Sequence, residues 1–195
     1  MRTNHFMQLF DSDSSLAETL ATFIQEGLAE GDVVLIVTTG ERWDLVLNRL
    51  ASRGVSVVVP IQSRRLTFMD SRDLLRQFMR RAGPSPELFE AVVGRAVRNL
   101  AASTNRLRVY GDMVDRLAGT GDYASAHRLE ILWNELGSEL SFQLLCGYSA
   151  LHFGSSHRTE TLRLICRCHS GVRSSRDDTL SSGLLDSVAS QPHRC

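Results

Sequence analysis

Residues 108–148 read RVYGDMVDRLAGTGDYASAHRLEILWNELGSELSFQLLCGY, and the order of elements in them sets the class of fold. A short apolar run, Leu107 to Tyr110, ends at Gly111-Asp112 and passes straight into a helical pattern. A second apolar run, Phe142 to Cys146, closes the stretch after another helix, predicted over Asp122 to Leu136 with Leu129, Leu132, Trp133 and Leu136 as its apolar stripe. Strand, helix, helix, strand is the order of a parallel α/β sheet. Ligands of such sheets sit at the carboxyl ends of strands, which singles out Asp112 and the corner Cys146-Gly147-Tyr148.

Upstream the alternation continues. His5 to Phe10 is a short mixed run. Ser15 with Glu18 has capping-box spacing ahead of a helix through Leu16, Leu20, Phe23, Ile24 and Leu28, which Gly31 stops. Val33 to Val37 reads as a strand buried on both faces. A helix from near Glu41 carries Trp43, Val46, Leu47 and Leu50 inward, and Val55 to Val59 reads as a second β-branched strand before Pro60. Leu66 to Met69 is a third strand, followed by a helix capped at Asp70 or Ser71. Gly83-Pro84-Ser85-Pro86 breaks the chain, and Pro86 opens a long helix through Leu100.

This alternation predicts an α/β fold in three layers, a mostly parallel sheet with helices on both faces. Residues 1–172 form one domain. After Val172 the composition turns serine-rich and poor in large apolar residues, which predicts a flexible tail over residues 173–195.

Twenty-two basic residues balance twenty-two acidic ones, so the whole-chain charge of a nucleic-acid binder is missing. All the basic residues are arginine. Without lysine neither a phosphate-binding P-loop nor Schiff-base chemistry can operate. Four cysteines, no apolar leader and no apolar run near the ~20 residues of a membrane span predict a cytoplasmic protein without disulfides or membrane contact.

Several residues invite chemistry. Cys166-Arg167-Cys168-His169 holds metal-ligand types, but on a helix Cys168 turns away from the other two, and on a strand His169 does. The expectation is buried small side chains, with no metal and no cofactor. Cys146 could act as a nucleophile if His5, His152 or His169 lay beside it. Asp11, Asp13, Asp70, Asp112 and Glu130 lie near element ends; Asp13 and Asp70 read as caps, Asp112 less simply so. Glu130 and Asn134 share one helix edge.

At these residues the chain resembles the MEDS family, sensory domains related to the regulator of dichloromethane dehalogenation in methylotrophs. The resemblance rests on His5 with Phe10, Phe23 to Leu28, Thr38-Thr39, Gly111-Asp112-Met113-Val114, Leu129 to Asn134, Cys146-Gly147-Tyr148, and Cys166 with His169-Ser170. It covers most of residues 4–172. Phe10, Asp112 and Ser149 stand where the family pattern has Tyr, Glu and Pro. The resemblance implies a RecA/KaiC-like domain without a P-loop. Residues 11–15, between the first strand and helix, indeed hold neither glycine nor lysine. It further implies a non-catalytic sensory domain for a small organic, hydrocarbon-derived ligand, signalling to a separate histidine kinase or transcriptional regulator. His5, Asp112, Glu130 and Cys146 would be polar contacts in its pocket, with Trp133 and Tyr148 as walls. Two rivals remain: a ligand-free interaction module for a kinase or sigma-factor regulator, marked by a broad apolar surface patch, and a Cys/His hydrolase, marked by a thiol within hydrogen-bond reach of an imidazole.

Overall fold

The computed structural model describes residues 4–104, 106–153, 159–175 and 177–189. Its strands are β1 (Asn4–Phe10), β2 (Val33–Thr38), β3 (Leu66–Asp70), the two-residue pair β4 (Met79–Arg80) and β5 (Gly83–Pro84), β6 (Leu107–Gly111), β7 (Gln143–Ser149) and β8 (Gly171–Ser174). Six of them form one parallel sheet in the order β3-β2-β6-β7-β1-β8. β4 and β5 make a separate antiparallel pair.

Strand alternation divides the core into two layers. Met7, Leu9, Leu35, Val37, Val109, Leu144 and Tyr148 face one side, under α4 (Ser71–Phe78), α5 (Pro86–Phe89), α6 (Arg95–Ala101), α7 (Met113–Gly119), α8 (Tyr123–Glu139) and α9 (Thr159–Cys166). Phe10, Val34, Ile36, Tyr110 and Leu145 face the other, under α1 (Asp13–Ala29) and α2 (Gly40–Ser52). The protein is therefore the expected three-layer α/β fold, with a sheet parallel throughout.

Local departures have physical causes. The α1 capping box is Ser12 with Ser15, one turn earlier than the Ser15 and Glu18 spacing suggested. Val55 to Val59 is not a strand. Val58–Gln62 is the short helix α3, with Val58 and Val59 59% and 69% exposed. Pro60 falls in its first turn, where the missing N–H has no intrahelical acceptor to lose. The long helix from Pro86 is interrupted by a wider, π-type turn over Glu90–Gly94 before α6 resumes.

Residues beyond 172, read from composition as a tail, supply the last residues of β8 and a helix, α10 (Thr179–Ala189). Leu184 and Leu185 pack against the core, and Ser181 is buried. Asp11 accepts hydrogen bonds from the backbone N–H groups of Leu180 and Ser181, each 2.8 Å, and from the Ser181 hydroxyl at 2.5 Å. A carboxylate on the first N–H groups of a helix is an N-terminal cap supplied from another element. Deleting residues 175–195 is therefore expected to remove about 2 kcal/mol of stability, roughly 4–8 °C in Tm. A scanning-calorimetry shift below about 1 °C would show that α10 contributes nothing.

Candidate functional site

The register of β1 on β7 places Asn4 to Phe10 beside Gln143 to Ser149, so residues some 140 positions apart become neighbours: His5 lies beside Leu144 and Met7 beside Cys146. His5, Cys146 and Tyr148 project to the face covered by α8. Asp122 caps that helix by accepting from the Ser125 N–H, and its buried stripe brings Glu130 down onto the same spot. The turn after α9 adds His169, whose neighbour Ser170 donates its N–H to the His5 carbonyl at 2.6 Å.

His5, Glu130, Cys146 and His169 are all buried, and one ligand atom from each lies within 4.8 Å of the others. His5 Nε2 is 3.2 Å from Cys146 Sγ and 3.3 Å from Glu130 Oε2. Cys146 Sγ is 3.5 Å from the same carboxylate oxygen. Tyr148 donates its hydroxyl to Glu130 Oε1 at 2.8 Å, and His169 Nε2 lies 3.3 Å from that oxygen. The two imidazoles approach with centroids 4.1 Å apart.

The outer nitrogens fix the tautomers. Asn134 donates its amide to the Cys168 carbonyl at 2.9 Å, which turns its oxygen to His5 Nδ1 at 3.0 Å, so Nδ1 carries a hydrogen. His169 Nδ1 faces the Ile165 carbonyl at 2.8 Å, an acceptor only, so it too is protonated. Both Nε2 atoms point inward.

Electrostatics follow from burial. Desolvation pulls the His5 imidazole down, but Glu130 and the Asn134 bond outweigh it and hold its pKa above the ordinary 6.5. Desolvation pushes Glu130 up, and His169 and His5 overcome it, leaving the carboxyl well below the usual carboxylate range. Burial, then the Glu130 charge, drives the Cys146 thiol well above its ordinary value, and the same two causes raise Tyr148.

A family model described as "MEDS: MEthanogen/methylotroph, DcmR Sensory domain" matches residues 4–170, beginning one residue before His5 and ending one after His169. The chain belongs to the MEDS family. A comparison with curated proteins finds no match. The family assignment makes this a sensory domain of a kind linked to signal transduction.

In this MEDS domain the residues singled out by sequence divide. His5, Glu130, Cys146 and Tyr148 converge. Trp133 fills the core one turn along α8, edge-on to Phe89 and Phe142. Asp112 belongs elsewhere. It is buried at the end of β6, where it accepts from Thr38 at 2.5 Å and from Arg42 Nη1 at 2.8 Å; it makes no side-chain cap to α7. Arg42 also reaches Asp115 at 2.9 Å and Asp13 at 2.9 Å, and His152 Nε2 lies 3.0 Å from Asp115. Asp112 and Cys146 thus lie on neighbouring strands, β6 and β7, but have separate hydrogen-bond partners. β2 leads outward to β3 and β6 inward to β7, so the crevice between β2 and β6 is the topological switch point. An arginine fills it.

His169, Asn134, Arg42 and Asp115 escaped the sequence-based site. His169 had a signal, the C-x-x-H-S ending, but that ending grouped it with Cys166 and Cys168. Cys166 is buried, and the Cys168 thiol faces the Leu164 carbonyl at 3.8 Å. Cys195 lies outside the described residues.

Two expectations follow. Arg42→Ala leaves Asp112 and Asp115 buried without their cation and should destabilise by about 3–5 kcal/mol in urea unfolding, whereas adding Asp112→Asn to that variant should recover part of the loss. The raised His5 pKa contributes stability that is full below 6.5 and lost as pH rises through the folded value. The depressed Glu130 pKa contributes stability present above 4.5 and lost on acidification. In chelator-containing buffer the difference in unfolding free energy between wild type and His5→Gln should therefore be greatest between these two values. A difference independent of pH would mean that His5 carries no charge in the folded protein.

Proposed function

We propose that this chain is a non-catalytic sensory module of bacterial signal transduction, working in the cytoplasm. In this reading it recognises a small organic, hydrocarbon-derived molecule at the buried cluster of His5, Glu130, Cys146 and Tyr148, and passes the signal to a separate histidine kinase or transcriptional regulator. The RecA/KaiC-like ancestry belongs to the same reading; residues 11–15 lack the glycines and lysine of a phosphate loop, and the chain binds no nucleic acid and no membrane. Among the described residues, no helix is long and apolar enough to cross a membrane. The supporting observation is the convergence of four ionisable side chains and a tyrosine in the core of a family of sensory domains, where apolar packing would serve stability better.

The Cys146 thiol does lie within hydrogen-bond reach of the His5 imidazole. Three features weigh against a hydrolase. The thiol has no exposed surface; burial and Glu130 disfavour the thiolate that must attack; and the inner nitrogen of His5 is engaged by the Glu130 carboxylate. The interaction-module reading has its own observation, the exposed Val58, Val59 and Ile61 beside a groove of about 550 Å³ lined by Trp43, Leu66, Phe68 and Leu100. On the sensory reading this is where the receiver docks.

Native mass spectrometry of protein from its own host, with thermal shifts against small alcohols, carboxylates and haloalkanes, tests the proposal. A retained or stabilising molecule is expected. Tyr148→Phe, at a stability cost of about 1–3 kcal/mol, should weaken its binding. An empty protein that no such compound stabilises, combined with loss of partner capture in Val59→Asp, would favour the ligand-free interaction module instead.

A further inference from the structure

The inward face of the cluster has fewer hydrogens than lone pairs. With both Nδ1 atoms protonated and held by Asn134 and the Ile165 carbonyl, two Nε2 lone pairs and two carboxylate oxygens point at one another. With both imidazoles neutral, the Tyr148 hydroxyl and the Cys146 thiol are the only inward hydrogen donors among the described residues of the cluster; a proton on His5 Nε2 would add one, on its contact with Glu130. Tyr148 uses its one on Glu130 Oε1. The thiol can serve either His5 Nε2 or Glu130 Oε2, not both. Among the described residues His169 Nε2 has no hydrogen-bond partner, although it is buried 3.3 Å from a carboxylate oxygen. Two buried acceptors at that separation repel unless a proton on the imidazole or a metal ion lies between them.

The spacing suits a particular cation. Bonds of about 2.0–2.2 Å to nitrogen and oxygen and about 2.3 Å to sulfur make a tetrahedron with edges of roughly 3.3–3.6 Å. Three edges are close to this, 3.2 Å for His5 to Cys146, 3.3 Å for His5 to Glu130 and 3.5 Å for Cys146 to Glu130, while His169 Nε2, 3.3 Å from the second carboxylate oxygen and within 4.8 Å of the other ligand atoms, closes the fourth corner by moving inward. Imidazole, imidazole, carboxylate and thiol are ligands for a borderline transition metal and not for magnesium or calcium, which take oxygen. The outer bonds to Asn134, to the Ile165 carbonyl and from Tyr148 are the ones that orient ligands in metal sites.

We propose that His5, Glu130, Cys146 and His169 form a closed binding site for one divalent transition-metal ion of the zinc type, placed between β1, β7, α8 and the turn after α9. Binding forms a sulfur–metal bond and breaks the S–H bond, whose proton leaves to solvent: M²⁺ + Cys-SH gives Cys-S–M⁺ + H⁺. A proton residing on His5 leaves as well. Thiolate and carboxylate then balance the ion, and the buried centre is neutral. Four protein ligands leave no open position, which makes the site structural or sensory and not hydrolytic. The inference rests on the cluster being the functional centre of the domain; with the ion bound its four ligands are taken, so an organic molecule would be met by Tyr148 and the residues around the centre and not by the ion.

The full chain, stripped with chelator, is titrated with Co²⁺ alone and then with Zn²⁺. One equivalent should give the intense visible bands of tetrahedral cobalt and a thiolate charge-transfer band in the near ultraviolet, both erased by Zn²⁺. Cys146→Ser should lose the charge-transfer band. Asn134→Ala, which positions His5 without touching the ion, should weaken affinity roughly 10–100-fold. Should the variants not fold, X-ray absorption of the zinc-loaded wild type still decides, with one sulfur and three nitrogen or oxygen neighbours expected. A folded wild type that takes up no Co²⁺, a zinc shell without sulfur, or a cobalt spectrum unchanged in folded Cys146→Ser and His169→Gln overturns the proposal. Because no organic compound enters the assay, these outcomes leave the hydrocarbon-sensing reading to its own test.

Discussion

A carboxylate buried in the middle of a helix–sheet interface is the constraint around which this domain is arranged. Glu130 lies on the apolar stripe of α8, fully inaccessible, where a lone ionised carboxyl is several kcal/mol too costly to hold. Its partners come from opposite ends of the chain: Tyr148 from β7, His5 from the first strand and His169 from residues after α9. The carboxylate therefore specifies which strands neighbour which. Register slippage of β1 by one residue would turn His5 to the opposite face and leave Glu130 unpaired.

The carboxyl ends of the strands pose the same problem and solve it with a different cation. There the buried charges are Asp112 and Asp115, and Arg42 from α2 answers both while lying over the Phe10 ring. Asp112 is raised by burial, a rise that the Arg42 charge and the Thr38 bond only partly offset, whereas Asp115, with His152, Arg42 and the Ser149 N–H around it, ends below its ordinary range. Arginine suits the position because one planar fork reaches three carboxylates. The consequence for function is spatial. The switch-point crevice is closed by an ion-pair network, and the polar centre with unbalanced lone pairs lies deeper, beneath α8.

Much of the fold was legible because doubly buried parallel strands advertise themselves. Val33 to Val37 is a continuous apolar run and Leu107–Gly111 is interrupted only at Arg108, and α1, α2 and α8 have clean apolar stripes. The misreadings share a cause. Val55 to Val59 is as β-branched as a strand, yet the place beside β2 is taken by Leu66–Asp70, and only tertiary pairing decides between them. Residues after 172 look like a tail because serine dominates, while the few apolar positions that dock, Leu184 and Leu185, do so under the cap that Asp11 provides from far away in sequence. For the site, strand-end position together with the family resemblance nominated His5, Glu130, Cys146 and Tyr148. These could not separate them from Asp112, since strand-end position is shared and only the direction of the side chain differs. His169 was hidden by its cysteine neighbours, and Asn134 by an ordinary helical spacing.

The centre is also tied to backbone, which matters for a domain of a sensory family. Asn134 holds the Cys168 carbonyl with one side of its amide and His5 with the other, and the Ser170 N–H bonds the His5 carbonyl, so the turn at residues 167–170 is fastened to the cluster twice. That turn leads directly into β8, the sheet's edge strand, and β8 into α10, whose first N–H groups rest on Asp11 at the end of β1. Any displacement of His5 or His169 relative to Glu130 therefore bears directly on the turn that leads into β8. The cluster and its connection to an edge element are thus one arrangement: the contacts of His5 and His169 with Glu130 also hold the turn from which β8 starts.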